Sequence, residues 1–189
     1  MRKFFILALI FISSFSLFSE EKYDFRKVRW DMSFEEVLKS EETKPEFSYK
    51  DSCIKYSDMI YYKNVEIFYH FTEGKLSTIT ISFINLFPLE KNNYYEEYNT
   101  IRSYYIKKYG KVSLNQTEWY NKKFKNSPDK INEAIAKKHV SITDSWELEN
   151  TIVSIGVFAN DSGEVSILAL YKKKIKGTIT VEEYLSDKI

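Results

Sequence analysis

The sequence predicts an α+β protein in which an antiparallel sheet of about six strands is covered by helices on one face. Three observations predict it: segments with two-residue apolar alternation, one long segment with helical spacing, and polar turns between them. The segments follow the order helix–strands–helix–strands–helix, which is typical of a two-layer sandwich. Glycine (5) and proline (3) are scarce beside tyrosine (15) and phenylalanine (14), so ordered strands and helices are favoured over linkers.

The most regular strands form a hairpin in the first half of the chain. Apolar residues occupy alternate positions in residues 65–71 and again in residues 76–83, and the polar residues 72–75 form the turn. Before this hairpin, residues 53–57 and 59–63 fit either a short hairpin or one bent strand. The other predicted strands are residues 116–120, 141–148, 151–159 and 164–172.

Helix starts are predicted from capping residues and proline. Ser33 and Glu36 form a capping box for a helix over about residues 34–41, because each can accept a hydrogen bond from the other's backbone amide. Pro128 at a first helical position predicts another helix, within an insertion at about residues 121–139. The narrow apolar face of this helix consists of Ile131, Ala134 and Ile135.

The longest helix is predicted over residues 94–109. Asn93 is its expected N-cap, and Gly110 stands where a left-handed C-terminal residue belongs. A last capping pattern, residues 180–183, predicts a short helix that ends near Ser186. The stripe of the longest helix that is expected to lie on the sheet consists of Tyr94, Tyr98, Ile101 and Tyr105.

The chain divides into two halves, residues 28–90 and 91–189. Residues 65–83 and 153–171 each consist of a strand, a polar turn with glycine and a second strand, with apolar residues at nearly matching positions. An internal duplication explains this pattern. The general likeness of any two hairpins explains it as well, so both interpretations stay open.

The first nineteen residues predict a secretory signal peptide. A basic pair at residues 2–3 precedes fifteen apolar or serine residues, which fall short of the ~20 that a membrane-spanning helix needs. Cleavage after Ser16 and after Ser19 both fit, and Ser19 is favoured because an acidic start follows. An uncleaved anchor is the alternative. Residues 20–189 then form one α+β domain that is periplasmic or secreted, with no transmembrane segment after cleavage.

Composition limits the partners of the exported domain. Cleavage removes two of the 28 basic residues, so 26 remain against 27 acidic ones and the net charge is −1. This balance argues against nucleic acid, which calls for a strongly basic surface. A single cysteine, Cys53, excludes an intramolecular disulfide. It is expected to be a buried small apolar residue, and a free thiol or an intermolecular bridge is the alternative. The oligomeric state is not predicted.

The sequence contains no recognised catalytic or metal-binding pattern. Its two histidines, His70 and His139, have no companion at metal-ligand spacing, and glycine-rich phosphate loops are missing. Cys53 forms a nucleophile–base pair with a histidine only if the fold brings the two together, and no motif surrounds it. The sequence therefore predicts a protein that is not an enzyme and that needs no metal or cofactor.

Aromatic residues are the one feature beyond the fold. Tyr95 and Tyr104 lie off the main stripe of the longest helix, and Trp119 lies in a predicted strand. Tyrosine and tryptophan favour sugar stacking and protein interfaces, because their rings give a large apolar contact at low entropy cost. These three residues are candidate interface residues, and the alternative is a tyrosine-rich edge of the core.

Two short segments resemble a known group of proteins. Residues 28–37 (VRWDMSFEEV) resemble the Gly-Met-Ser/Thr-x-x-x-Val start of small exported bacterial α+β proteins, of which the SmpA/OmlA family of outer-membrane assembly lipoproteins is the best known. Residues 106–111 (IKKYGK) resemble the Lys-Tyr-Gly-x-Pro helix ending of uncharacterised periplasmic proteins. Asp31 stands in place of the family's glycine, and the lipid-bearing cysteine is missing. The resemblance implies an exported α+β fold.

Export, the missing chemistry and this resemblance predict a non-enzymatic protein that acts by protein–protein interaction. The expected partner is an envelope protein, and the expected role is cell-envelope assembly or maintenance. The alternative is a small periplasmic binding module for a glycan or a hydrophobic ligand, which would use aromatic residues and the sheet face that the helices leave uncovered.

Overall fold

One antiparallel sheet of eight strands forms the body of the protein within residues 23–84 and 93–175, the two ranges that the computed structural model describes. In chain order the elements are α1 (Phe34–Ser40), β1 (Phe47–Tyr49), β2 (Cys53–Ile60), β3 (Lys63–Thr72), β4 (Lys75–Phe83), α2 (Tyr94–Tyr109), β5 (Leu114–Trp119), α3 (Ile131–Ala136), β6 (Val140–Glu147), β7 (Thr151–Ala159) and β8 (Val165–Lys173). The α+β class is confirmed.

The sheet consists of two four-stranded meanders joined at their last strands. The strand order is β1-β2-β3-β4-β8-β7-β6-β5, so β4 and β8 pair at the centre and β1 and β5 lie at the two edges. The central pair runs antiparallel from Thr78 opposite Lys172 to Phe83 opposite Ile167. Each meander is preceded by a helix, α1 in the first half and α2 in the second.

The predicted count of about six strands is wrong, because the sheet has eight. Strand β1 has only three residues, all exposed, so it is too short to show an alternating pattern. Residues 53–60 form one strand, because β2 pairs with β3 continuously from Cys53 opposite His70 to Ile60 opposite Lys63. The predicted strand over residues 59–63 is wrong, because it crosses the turn and ends in β3.

The three described helices lie over the same face of the sheet, which we call the inner face. The Tyr69 hydroxyl of β3 donates to Glu41, the residue that caps the end of α1. Tyr98 of α2 donates to Asp144 of β6, whose side chain shares the inner face, and α3 contacts α2. One row of buried inner-face residues crosses six strands and consists of Ile54, Tyr69, Ile79, Tyr171, Val153 and Trp146.

Local sequence signals account for most helix boundaries. The capping box of α1 is confirmed, since Ser33 accepts from the Glu36 amide and the Glu36 carboxylate accepts from the Ser33 amide at 2.7 Å. Helix α2 has the predicted bounds, and Gly110 has a φ of 80°, which favours glycine. The expected N-cap bond of Asn93 is wrong, because its side chain makes no capping hydrogen bond.

The insertion between β5 and β6 is only partly helical. Pro128–Lys130 forms a single 3₁₀ turn that continues into α3, so the α-helix begins later than predicted. Ala134 and Ile135 are buried, as their spacing predicts. The basic segment at the start of the insertion contains a 3₁₀ turn at Lys122–Phe124.

Two predictions lie outside the described residues: the signal peptide, residues 1–19, and the short helix predicted from residue 180 onward. Across residues 23–84 and 93–175, none of the helices combines the length and the apolar character needed to cross a membrane.

The turn between β2 and β3 has an unfavourable backbone. Ile60 and Lys63 are paired, so Tyr61 and Tyr62 alone form the loop, and their φ values are 52° and 62°. Two-residue hairpin turns with positive φ at both positions favour Asn-Gly. Most other residues are strained in this left-handed conformation, because Cβ comes too close to the backbone. The Tyr61 ring stacks on Tyr104 at 4.5 Å between centroids, whereas Tyr62 is 90% exposed.

We expect Tyr62→Gly to raise the free energy of unfolding by about 1 kcal/mol, because it relieves the left-handed strain and removes little packing. Tyr61→Gly is the matched control, since it relieves the same strain but removes the stack on Tyr104. Urea denaturation of both variants checks this prediction. A Tyr62→Gly variant that is less stable than the parent contradicts it.

Candidate functional site

A cleft of about 550 Å³ lies between helix α2 and the edge strand β5. Clefts of ~300–1,000 Å³ are typical of small-molecule and cofactor sites. We call it the α2–β5 cleft. It is lined by residues of α2 (Tyr95, Glu96, Tyr98, Asn99 and Arg102), of β5 and β6 (Asn115, Thr117, Trp119 and Ile142) and of the insertion between them (Lys125 and Ile131).

Strand β5 presents a mixed polar and aromatic surface to this cleft. Asn115, Thr117 and Trp119 alternate along the strand, so all three side chains point to the inner face toward α2. Gln116 and Glu118 point the other way, and the Gln116 amide donates to the Glu118 carboxylate. The wall of the cleft therefore follows directly from the two-residue period of the strand.

The floor of the cleft is built around a buried carboxylate. Asp144 is 0% exposed and lies on β6 directly opposite Asn115. One of its oxygens accepts from Arg102 Nε and from the Tyr98 hydroxyl at 3.1 Å, and the other accepts from Asn115 Nδ2 at 2.5 Å. Because both oxygens have partners and a guanidinium balances the charge, the carboxylate is tolerated at a buried position.

Two groups of this network, Tyr98 and Arg102, keep one protonation state near neutral pH. Burial and the neighbouring Asp144 carboxylate raise the pKa of the Tyr98 hydroxyl far above its usual value. The hydrogen bond to Asp144 raises the pKa of the Arg102 guanidinium, so it stays charged. Tyr98 and Arg102 therefore act as fixed hydrogen-bonding groups, and neither exchanges protons near neutral pH.

Two of the three candidate interface residues, Tyr95 and Trp119, meet in the α2–β5 cleft, where both are half-buried. The Tyr95 ring packs on Tyr98 with 6.4 Å between centroids. Its backbone amide donates to Asn132 Oδ1 at 2.8 Å, which ties the start of α2 to α3. The aromatic walls are thus held by the same elements that hold the polar floor.

The third candidate, Tyr104, lies away from the cleft. Its ring is stacked on Tyr61 with an interplanar angle of 9°, so one of its faces is already covered. Tyr104 joins α2 to the β2–β3 turn and does not line the α2–β5 cleft.

The charges of the cleft balance when the buried Asp144 beneath its surface is counted with the charged residues that line it. Arg102 and Lys125 are basic, whereas Asp144 beneath the surface and Glu96 at the rim are acidic. Asp144 is neutralised by Arg102, and the Glu96 carboxylate accepts from Asn132 Nδ2 at 3.0 Å. The cleft therefore offers aromatic surface and hydrogen-bonding groups without an excess of charge, and so favours an uncharged, partly apolar ligand or peptide segment.

The outer face of the sheet is not covered by any described helix. One row across it contains Lys55, Phe68, Thr80, Leu170 and Ser154, all half-buried. Polar and apolar residues alternate along this row without forming a continuous aromatic surface. The uncovered face that sequence predicts as a binding surface is present, but the predicted aromatics Tyr95 and Trp119 lie on the opposite side.

Cys53 and His70 are directly opposite each other on β2 and β3 and share the outer face. Burial raises the pKa of the Cys53 thiol and lowers that of the His70 imidazole, so neither shift favours a thiolate. His70 Nε2 lies 3.2 Å from Thr80 Oγ1. The pair is adjacent without the features of an activated nucleophile.

Within residues 23–84 and 93–175, no three acidic, histidine or cysteine side chains are grouped so that they could hold a metal ion. Comparison with known proteins finds no family model, no curated protein and no solved structure that matches the chain.

Sequence reasoning missed Asp144, Arg102 and Asn115. The sequence does contain a signal for Asp144. It occupies an alternate position of β6 together with Ile142 and Trp146, so the strand period places an acidic side chain on the inner face. No local sequence pattern singles out Arg102 or Asn115. Their shared partner, Asp144, lies 42 and 29 residues away in the chain.

Proposed function

We propose that the chain is an exported, non-enzymatic protein that binds a partner protein of the cell envelope through the α2–β5 cleft. One observation carries the proposal: Tyr95 and Trp119, which come from different elements, flank a cleft whose polar floor is fixed. The central part of a protein interface typically contains aromatic side chains that lie beside polar groups with hydrogen-bond partners.

The cleft is prepared for binding by its internal bonds. Asp144 holds Arg102, Tyr98 and Asn115 in place, and Asn132 fixes the first turn of α2. Side chains that are ordered before association lose little entropy on binding, so more of the contact energy becomes affinity. These bonds support a role in recognition, and the fixed protonation of Tyr98 and Arg102 offers nothing to acid–base catalysis.

The envelope location rests on the predicted signal peptide. Mass spectrometry of the natural protein should find a chain that begins at Glu20. A full-length chain recovered from the cytosol contradicts the proposed location.

Photo-crosslinking in the native cell tests the partner proposal. A photoreactive phenylalanine analogue in place of Tyr95 or Trp119 should crosslink the same envelope protein from both positions. The matched control replaces Tyr120, which is 62% exposed and whose hydroxyl lies 3.1 Å from Ser141 Oγ, outside the cleft. Equal crosslinking from all three positions contradicts a role for the cleft.

Binding measurements with the purified chain and the purified crosslinked partner then show how much each residue contributes to affinity. We expect Trp119→Ala and Tyr95→Ala each to weaken association with the crosslinked partner by about tenfold or more, since aromatic anchors often contribute over ~1–2 kcal/mol. Tyr120→Ala should leave affinity within about twofold. Unfolding midpoints of the three variants show whether the loss arises from the contact or from the fold.

A glycan is the second candidate ligand, favoured because aromatic rings and neutral polar groups line one cleft without an excess of charge. Soluble peptidoglycan fragments should then change the tryptophan fluorescence, and the change should disappear in Trp119→Phe. The other two tryptophans, Trp30 and Trp146, are 8% and 1% exposed, so Trp119 is the reporter that a cleft ligand reaches. No change across a broad fragment panel removes this candidate.

We also infer that the two halves descend from one helix–meander unit. Support comes from the shared order of one helix and four strands in each half, and from the central pairing of the last strands β4 and β8. The insertion with α3 then distinguishes the second half from the first. Poor superposition of α1–β4 on α2–β8 in a crystal structure would contradict this inference.

A further inference from the structure

Strand β5 ends the sheet and has an outer edge that no described strand pairs with. It spans six residues, Leu114–Trp119, and pairs with β6 along its whole length. An edge of this kind presents backbone donors and acceptors that are able to pair with another chain.

The register shows which backbone groups face outward. The Tyr120 amide donates to the His139 carbonyl at 2.8 Å, so this pair is a hydrogen-bonded pair of the β5–β6 ladder. Hydrogen-bonded and non-hydrogen-bonded pairs alternate along an antiparallel ladder. Asn115, Thr117 and Trp119 therefore direct their N–H and C=O groups away from β6, while their side chains point into the α2–β5 cleft.

The other edge of the sheet is protected, which makes β5 distinctive. Strand β1 has three residues and follows Pro45, and the part of β2 beyond it carries Asp58 in an ion pair with Arg26. Short strands, proline and charged side chains are devices that prevent edge pairing. Strand β5 contains no proline and no lysine, and its one acidic residue, Glu118, points to the outer face.

From this geometry we infer that the partner contributes an extended segment that adds to β5 as a ninth strand. Its backbone pairs with Asn115, Thr117 and Trp119, and every second side chain enters the α2–β5 cleft. In strand addition the main chain supplies affinity and the pockets for alternate side chains supply specificity. The cleft has aromatic walls and balanced charge, so the segment carries uncharged, apolar residues at these positions. The inference rests on the proposed function, since it names how the partner binds at the same cleft.

The test uses a peptide probe and two substitutions at one position. The mature chain selects binders from a displayed library of random twelve-residue peptides, and a labelled selected peptide is titrated by fluorescence anisotropy. Thr117→Pro removes an outward N–H and leaves the β5–β6 ladder intact, which edge strands tolerate. Thr117→Val keeps that N–H and removes only the hydroxyl.

We expect Thr117→Pro to weaken peptide binding by about tenfold or more, which corresponds to one lost hydrogen bond and a poorer fit. Thr117→Val should stay within about threefold of the parent. Hydrogen exchange on the unaltered chain gives a second measurement that does not depend on the folding of a variant. The amides of Asn115, Thr117 and Trp119 should exchange more slowly when the peptide is bound.

Several results overturn the inference. These are equal binding by Thr117→Pro and the parent, a loss confined to Thr117→Val, unchanged exchange at the three amides, and a library that yields no binder. Self-association that Thr117→Pro abolishes would assign the edge to a second copy of the chain instead. In each case the crosslinking from Tyr95 and Trp119 still decides the proposed function separately, because it does not depend on strand pairing.

Discussion

Replacement of Asp144 by alanine is expected to lower the free energy of unfolding by about 2–3 kcal/mol, because it leaves the buried Tyr98 hydroxyl without its acceptor and the half-buried Arg102 without its counter-charge. The carboxylate is fully buried and bonds three side chains, so its removal leaves Arg102, Tyr98 and Asn115 without their shared acceptor. Urea denaturation followed by circular dichroism measures the change.

Two further variants show whether the ion pair is responsible. Asp161→Ala removes an exposed carboxylate that pairs with Lys138, and surface pairs contribute only about 0–1 kcal/mol, so this control should change stability little. Asp144→Leu combined with Arg102→Met replaces the pair by apolar groups and should recover the part of the loss that arises from the unpaired Arg102 charge, whereas Tyr98 and Asn115 still lack their acceptor. A loss below about 1 kcal/mol for Asp144→Ala would mean that the network is dispensable.

Trp146→Ala is expected to lower the free energy of unfolding by about 3–5 kcal/mol, the range for removing a large buried aromatic side chain. Trp146 is 1% exposed and packs against Tyr105 and Tyr109 of α2 at 6.0 and 6.2 Å between ring centroids. Its indole N–H donates to the Gly110 carbonyl at 3.0 Å, so it also fixes the end of the helix.

Trp146→Phe is the matched control, because it keeps an aromatic ring but loses the hydrogen bond to Gly110. Its loss should be clearly smaller than that of Trp146→Ala when both are measured by urea denaturation. Equal losses would show that the hydrogen bond, and not the packing of α2 on the sheet, dominates this contact.

The two binding hypotheses place different demands on the same residues. Strand addition uses the backbone of β5, whereas a glycan would use the Thr117 hydroxyl and the aromatic rings. Thr117→Pro and Thr117→Val therefore separate the two, and Trp119→Ala affects both. The Asp144 variants affect either ligand indirectly, because Asp144 positions Arg102 and Asn115.

Sequence reasoning succeeded where the signal is local. The β3–β4 hairpin follows from alternation, and the start of α1 follows from the bonds between Ser33 and Glu36, which are three residues apart. It failed for β1, whose three exposed residues become a strand only because β2 provides a partner. It also missed that β5 and α2 enclose a cleft, although both elements were predicted.

By itself the sequence determined the α+β class, the long helix that ends at Gly110 and the alternating strands, because these depend on residues a few positions apart. The tertiary structure alone decided that β4 meets β8, that Tyr95 and Trp119 share one cleft, and that Asp144 lies beneath them. These contacts join residues that are distant in the chain. Which of them form depends on which surfaces bury the most apolar area together, and a short segment of sequence does not contain that information.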